Sequence, residues 1–251
     1  MTVYGTRPEA IKVAPVIKAL ESDDRFESVV VSTGQHREML EQVNKRFGIE
    51  PDHDMGLMKP GQSLNELVSR AIQGLDPIIK SEAPDVIISQ GDTSTAMAAA
   101  LAGFHSGVKI VHLEAGLRTG NIFSPFPEEA NRKIIGQLAS LHLAPTEQSK
   151  ENLRRENFRS KDIVVTGNTV IDALLAAKEW DVAFDDERLQ TLQDNDQKVV
   201  LVTTHRRENL DAMTEIGGAV QDLAKAYPDY AFALPLLSLI HISEPTRQAE
   251  I

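Results

Sequence analysis

The chain of 251 residues has no cysteine and a single tryptophan. Without cysteine there is no disulfide, no thiolate metal site and no cysteine nucleophile, and the composition suits a reducing compartment such as the cytoplasm. No apolar run approaches the roughly 18 residues of a membrane span. The N-terminus lacks a basic stretch followed by an apolar one, so neither a membrane anchor nor a signal peptide is expected. Positive charge is also scarce: 26 Lys and Arg against 37 Asp and Glu leave a net charge of −11. That argues against a general binder of nucleic acid or anionic lipid, which would need a basic surface, and still allows a local basic pocket. Several chemical signatures are missing as well. There is no Gly-x-Gly-x-x-Gly dinucleotide fingerprint, no Walker loop, no Gly-x-Ser-x-Gly nucleophile elbow and no His-x-x-x-His helix, and the ligand spacing of a structural metal site is absent.

What remains is ordinary for a globular chain: 41% hydrophobic and 25% charged residues. The length corresponds to about 1.7 domains, one large or two small. Short β-branched runs alternate with helical patterns. Strands are expected at Val3-Tyr4, 28–33, 86–89, 109–113, 141–144, 163–165, 199–203 and 231–236. Helices are expected at 9–20 (with Ile11, Ala14, Ile17 and Leu20 inward), 37–47, 63–80, from about 93, 127–140, 147–156, 170–180 and 209–226. Such alternation predicts an α/β fold with a parallel sheet covered on both faces, and the apolar strands agree. The polar, acidic stretch 181–197 is the best linker candidate. It leaves a short second region of two strands, which cannot cover both of its own faces, so either a partner domain from elsewhere or a fragmentary chain is expected.

In open α/β sheets ligands bind beyond the carboxyl ends of the strands. After the first strand stands Gly5-Thr6-Arg7-Pro8-Glu9, where Pro8 suits the first helical position and a helix N-terminus offers N–H groups to phosphate, with Arg7 and Lys12 adding charge. After the second stands Gly34-Gln35-His36-Arg37. After the fourth comes Gln90-Gly91-Asp92-Thr93, in which Asp92 can equally be a helix cap. Glu114 directly abuts the fifth strand, where an unpaired carboxylate is costly to bury. Glu128-Glu129 opens a helix, a placement that macrodipole compensation alone would explain. His205-Arg206-Arg207 follows the strand at 199–203 and reads as an anion site. The rim therefore gathers Asp92, Glu114 and Glu128 against Arg7, Lys12, His205, Arg206 and Arg207. Cations can hold a diphosphate while carboxylates transfer protons or stabilise a cationic transition state.

Seven segments stand in an order that carries a family resemblance: 5–12 (Gly-Thr-Arg-Pro-Glu-Ala-Ile-Lys), 35–40, 91–93, 112–120 (His-Leu-Glu-Ala-Gly-Leu-Arg-Thr-Gly), 127–132, 166–174 and 205–209. Together they resemble the bacterial non-hydrolysing UDP-N-acetylglucosamine 2-epimerases over residues 1 to about 236. The resemblance implies a GT-B-like α/β fold: a complete N-terminal Rossmann-like domain over residues 1–175 and the start of a second over 176–236. It implies interconversion of UDP-GlcNAc and UDP-ManNAc for surface polysaccharides, by elimination of UDP to 2-acetamidoglucal and re-addition, with no cofactor. Asp92, Glu114 and Glu128 match the family's acid, base and stabilising carboxylates, their individual roles staying open. His205 matches its catalytic histidine. Arg7 and Lys12 match substrate-site residues, and Arg206 and Arg207 join them as the basic set. Gln35, His36 and Arg37 stand where many members bind a second, activating UDP-GlcNAc, and Glu38 replaces a Gln found in some of them. A cytoplasmic homodimer with neither nucleic-acid nor membrane partners is implied.

The tail departs from the pattern. The family's His-x-Asn-Pro and Ser-Gly-Gly loop motifs do not follow Pro235. Residues 237–247 instead resemble the translation of a transposon-end sequencing adapter, so 237–251 is expected to be a non-native tail and the chain itself to have little or no activity. Three alternatives stay open: a hydrolysing 2-epimerase that releases free ManNAc, a GT-B glycosyltransferase that moves a sugar to an acceptor, and a non-catalytic fragment that binds a UDP-sugar or nothing.

Overall fold

The computed structural model describes residues 1–34, 37–59, 61–181, 183–184, 186–203 and 212–234, with the backbone alone for 37–39. The chain divides into two compact units, Met1–Glu179 and Trp180–Ile251. The first holds β1 (Thr2–Tyr4), α1 (Arg7–Glu21), β2 (Val30–Ser32), α2 (Arg37–Phe47), β3 (His53–Asp54), α3 (Leu64–Glu82), β4 (Val86–Gln90), α4 (Ser94–His105) and β5 (Lys109–Leu113). It continues with α5 (Glu128–Leu138), β6 (Leu141–Ala144), α6 (Glu147–Arg155), β7 (Ile163–Val165) and α7 (Thr169–Lys178). Its seven strands are all parallel in the order β3-β2-β1-β4-β5-β6-β7. The order reverses between β1 and β4, the topological switch point at which such sheets bind ligands.

Period-two alternation sends neighbouring side chains of one strand to opposite faces. In β1, Val3 joins a core with Leu75, Ile79, Ile87, Ile110 and Ile135 beneath α3, α4 and α5, while Tyr4 joins Val13, Ile17, Leu40 and Leu113 beneath α1 and α2. Each fully buried Leu or Ile contributes about 1.5–3 kcal/mol. The alanine-rich α4 lies close on the sheet. A Cβ on Gly103 would stand 2.6 and 2.7 Å from the Cδ1 atoms of Ile87 and Ile110, so glycine sets the helix–sheet distance there.

Local signals place most helix starts. Ser63 caps α3 with Glu66 answering in a capping box, Thr146 caps α6 and Pro127 precedes α5. Four expectations change. α4 is capped by Thr93 rather than Asp92, because the threonine hydroxyl reaches the Ala96 N–H. In α1 the buried face is Ala10, Val13, Ala14 and Ile17, while Ile11 and Leu20 are only half-buried. β3 has two polar residues and forms by pairing with β2, a long-range cause that no local pattern carries. The region 181–197 is not all linker: it holds α8 (Glu187–Asp194), capped by Asp186.

The second unit contains α8, β8 (Val199–Leu201), α9 (Met213–Ala226) and β9 (Ala231–Ala233). β8 and β9 pair in parallel in the expected β-α-β unit, with Val199 opposite Ala231. None of its described residues is fully buried.

Candidate active site

The switch point is built first by the turn after β1. Thr6 caps α1, and the Glu9 carboxylate returns to accept from the Gly5 N–H at 3.0 Å and the Thr6 N–H at 2.7 Å. The Thr93 hydroxyl donates to its other oxygen at 2.6 Å, across the switch from β4. Burial pushes the Glu9 carboxyl up, against these hydrogen bonds, which pull it down. The amides expected to face a phosphate are therefore partly engaged inside the turn. Arg7 is half-buried and makes no hydrogen bond or ion pair among the described residues, so its guanidinium is available to an anion.

Lys12 projects from α1 onto Glu114, with Nζ 2.7 and 2.6 Å from the two carboxylate oxygens. Gln90, the buried last residue of β4, donates to Oε2 at 2.8 Å. Asn168, the cap of α7, donates to Oε1 at 3.3 Å. Three elements thus supply four contacts to one carboxylate. Glu114 itself has φ +65°, a left-handed conformation uncommon outside glycine and a form of strain that collects at functional sites. Gly91 beside it has φ +70°, and a Cβ there would lie 3.5 Å from Glu114 Oε2.

Asp92 is held by a second system. Arg132 brings Nε and Nη2 to its Oδ2 at 2.8 and 2.7 Å and Nη1 to Glu129 Oε2 at 2.8 Å. The amide of Asn131 donates to the Asp92 carbonyl at 2.8 Å. Glu129 is fully buried and also accepts from the Thr119 and Gly120 N–H groups at 3.2 and 3.3 Å. Asp92 Oδ1 has no partner among the described residues. Glu128, one residue before Glu129, keeps a buried Oε2 with none either.

Two supports lie beneath this rim. His112 on β5 donates from Nε2 to the Gly91 carbonyl at 2.8 Å, and burial pushes its pKa down to about 4, so the ring is neutral and its Nδ1 is left unpaired. The loop after β5 is drawn to α6 by Arg118, which grips Glu156 at 2.9 and 2.7 Å, and by Gly116, whose φ of +89° and approach to the Ser149 carbonyl admit no side chain. A cavity of about 470 Å³ lies between β2, α2 and β3, lined by Ser32, Leu40, Asn44, Ile49, Pro51 and Asp54, and Asp92, Glu114 and Glu128 are not part of its lining.

Of the residues singled out in the sequence, Asp92, Glu114, Glu128, Arg7 and Lys12 fall on elements around the carboxyl ends of β1, β4 and β5. His205, Arg206, Arg207, Gln35 and His36 lie outside the described residues, and Arg37 is described for its backbone alone, as the first residue of α2. Glu9, Gln90, Asn131, Arg132 and Asn168 were not singled out, though signals for them exist. Thr6-x-x-Glu9 has capping-box spacing. Asn131 and Arg132 follow Glu128 by three and four residues, hence on one helix face. Asn168 precedes an apolar helix, as a cap does. Among the described residues no group of three or more His, Asp or Glu could hold a metal ion, and no helix is long and apolar enough to cross a membrane.

Comparison with known proteins gives consistent matches. A family described as UDP-N-acetylglucosamine 2-epimerase matches residues 18–248. The UDP-N-acetylglucosamine 2-epimerase of Yersinia pestis is 46% identical over 254 residues, covering 99% of this chain and 68% of the relative. A crystal structure of the Neisseria meningitidis UDP-GlcNAc 2-epimerase bound to UDP-GlcNAc superposes with a TM-score of 0.81 at 42% identity, covering 99% of this chain and 69% of that one. A co-structure of S. aureus MnaA with UDP gives a TM-score of 0.80 at 42% identity, covering 98% of this chain and 65% of that one.

Proposed function

The chain belongs to the UDP-N-acetylglucosamine 2-epimerase family, and from that premise we propose that its carboxylate rim serves the inversion of C2 in UDP-N-acetylglucosamine by a non-hydrolysing route. The fold is α/β and GT-B-like, as in the solved relatives, with the seven-stranded unit as its first Rossmann-like domain.

The C2–H of a sugar is a very weak acid, so its proton leaves only as the C1–O bond to UDP breaks. A base takes the proton, the C–H electron pair becomes the C1=C2 double bond of 2-acetamidoglucal, and the diphosphate departs with the C1–O pair. Delivery of a proton to the opposite face of C2 and return of UDP to C1 give the epimer, UDP-N-acetylmannosamine. The reaction needs a proton-transfer group on each face of C2, negative charge near the developing cation at C1, and cations for the leaving diphosphate. The observation that carries the reading is the unequal treatment of the three carboxylates. Glu114 is saturated by Lys12, Gln90 and Asn168, which suits a fixed charge rather than a proton carrier. Asp92 is gripped through Oδ2 with Oδ1 open, which suits a base. Glu128 keeps a buried oxygen without a donor, which leaves that oxygen free to meet a group of the substrate. Arg7, which makes no ion pair among the described residues, is the cation proposed for the diphosphate. His205, Arg206 and Arg207 are proposed to complete that set, in a cytoplasmic homodimer whose product serves surface polysaccharide synthesis.

The test is incubation of the chain with UDP-GlcNAc in D2O, followed by proton and phosphorus NMR, beside a calorimetric titration. Because the chain spans about two thirds of its relatives' length, the informative signals are binding heat and slow deuteration at C2; Glu114→Gln should keep the heat and lose the deuteration. UDP-ManNAc as product supports the non-hydrolysing route, and free ManNAc with UDP replaces it by the hydrolysing one. Heat without deuteration would leave only a UDP-sugar-binding module. Absence of both signals overturns the reading for this chain.

A further inference from the structure

Glu114 owes its position to donors from three elements, and the donor from α7 has a second task. Asn168 Oδ1 accepts the Val170 N–H at 3.1 Å and so caps α7, while the other end of the same amide donates to Glu114 at 3.3 Å. One side chain therefore closes a helix terminus and touches the carboxylate. α7 is otherwise lightly held. It packs on α1, its only fully buried residue is Ala173, and Ile171, Leu174 and Leu175 are each more than half exposed. A helix with so little buried apolar surface opens at low free-energy cost, so its terminal tie weighs heavily on its placement. α1, against which it rests, supplies Lys12 to the same carboxylate, so the packed pair α1–α7 grips Glu114 from both helices. α7 is also the last element of the first unit, and the chain passes into the second unit directly after it, between Glu179 and Trp180.

We propose that Asn168 is a positioning residue that couples the Glu114 carboxylate to the first turn of α7, so that order in the helix leading to the second unit and the placement of this carboxylate rise and fall together. The catalytic importance of that coupling rests on the epimerase reading; the coupling itself does not.

The test is hydrogen exchange on the whole chain without substrate, read at the amides of residues 170–174. Asn168→Asp keeps the cap, since Asp caps as well as Asn, but replaces the donor with a carboxylate facing Glu114. The expected result is exchange faster by about tenfold or more, the scale of losing a hydrogen bond to a charged group. Adding Glu114→Gln reverses the roles, because the new amide can donate to the carboxylate introduced at position 168, and protection should return to within about threefold of the parent. Asn168→Ser, which caps without an amide donor, gives a second route if the Asp variant folds poorly; it should also speed exchange. Unchanged exchange in either single variant, or no recovery in the double variant, reduces Asn168 to a helix cap and overturns the coupling. A chain that shows the coupling but neither binding heat nor deuteration at C2 refutes the epimerase reading alone.

Discussion

Replacement of Arg132 by methionine tests the second ion-pair system directly. The Arg132 side chain is 12% exposed and bridges Glu129, at 0%, to Asp92, at 25%. Methionine fills much of the stem volume and removes the charge. At Asp92 water can take over, so the loss there is about 0–1 kcal/mol. Glu129 has no such recourse. It keeps two backbone N–H bonds, but at 3.2 and 3.3 Å they lie at the long end of the useful range. Removing one partner of a buried pair costs about 3–5 kcal/mol. Against a net stability of about 5–15 kcal/mol the variant should fold but with a much reduced margin. In a unit of this size the melting temperature should fall by about 6–20 °C. The assay is urea unfolding followed by far-ultraviolet circular dichroism. Adding Glu129→Gln removes the stranded charge and should recover roughly half of the loss. Stability within about 1 kcal/mol of the parent, or no recovery in the double variant, would refute the claim that Glu129 needs the guanidinium.

Two further outcomes follow from the supports beneath the rim. His112 is buried neutral with its pKa lowered to about 4, whereas the unfolded chain binds that proton near the ordinary histidine value. As pH falls below about 6.5 the unfolded state takes up the proton first. The contribution of His112 is therefore complete above that pH and is lost towards pH 4, by about 3 kcal/mol in all. His112→Gln, whose amide can still donate to the Gly91 carbonyl, should flatten the stability–pH curve between about pH 6.5 and 4.5; an unchanged slope would exclude the histidine as its source. Gly116→Ala places a Cβ 2.2 Å from the Ser149 carbonyl oxygen at φ +89°, so backbone must move. The expected loss is about 2–5 kcal/mol, read as a lowered melting temperature, and parent-like melting would show that the loop after β5 is not held where described.

The alternation of strands and helices was readable because it rests on short-range causes. Apolar runs mark β4, β5 and β6, and the caps Ser63 and Thr146 stand one residue before their helices. The rim was readable too, because a parallel sheet sends every loop that follows a strand to one edge. α8 escaped notice because none of its residues is buried, so it carries no apolar stripe to betray it. β3 escaped because His53 and Asp54 become a strand only beside β2. The same distinction separates the candidate catalytic residues from their partners. Asp92, Glu114 and Glu128 could be picked out by chain order and residue type. That Lys12 would meet Glu114 across 102 positions and Arg132 would meet Asp92 across 40 could not. Sequence by itself determined the repeating β-α order, the sheet edge on which polar residues collect and the family. Only the tertiary structure decided which carboxylate is saturated, which keeps an open oxygen and which is buried without a donor, because those states depend on desolvation and on donors brought together from distant elements, and neither property belongs to a residue until the chain has closed around it.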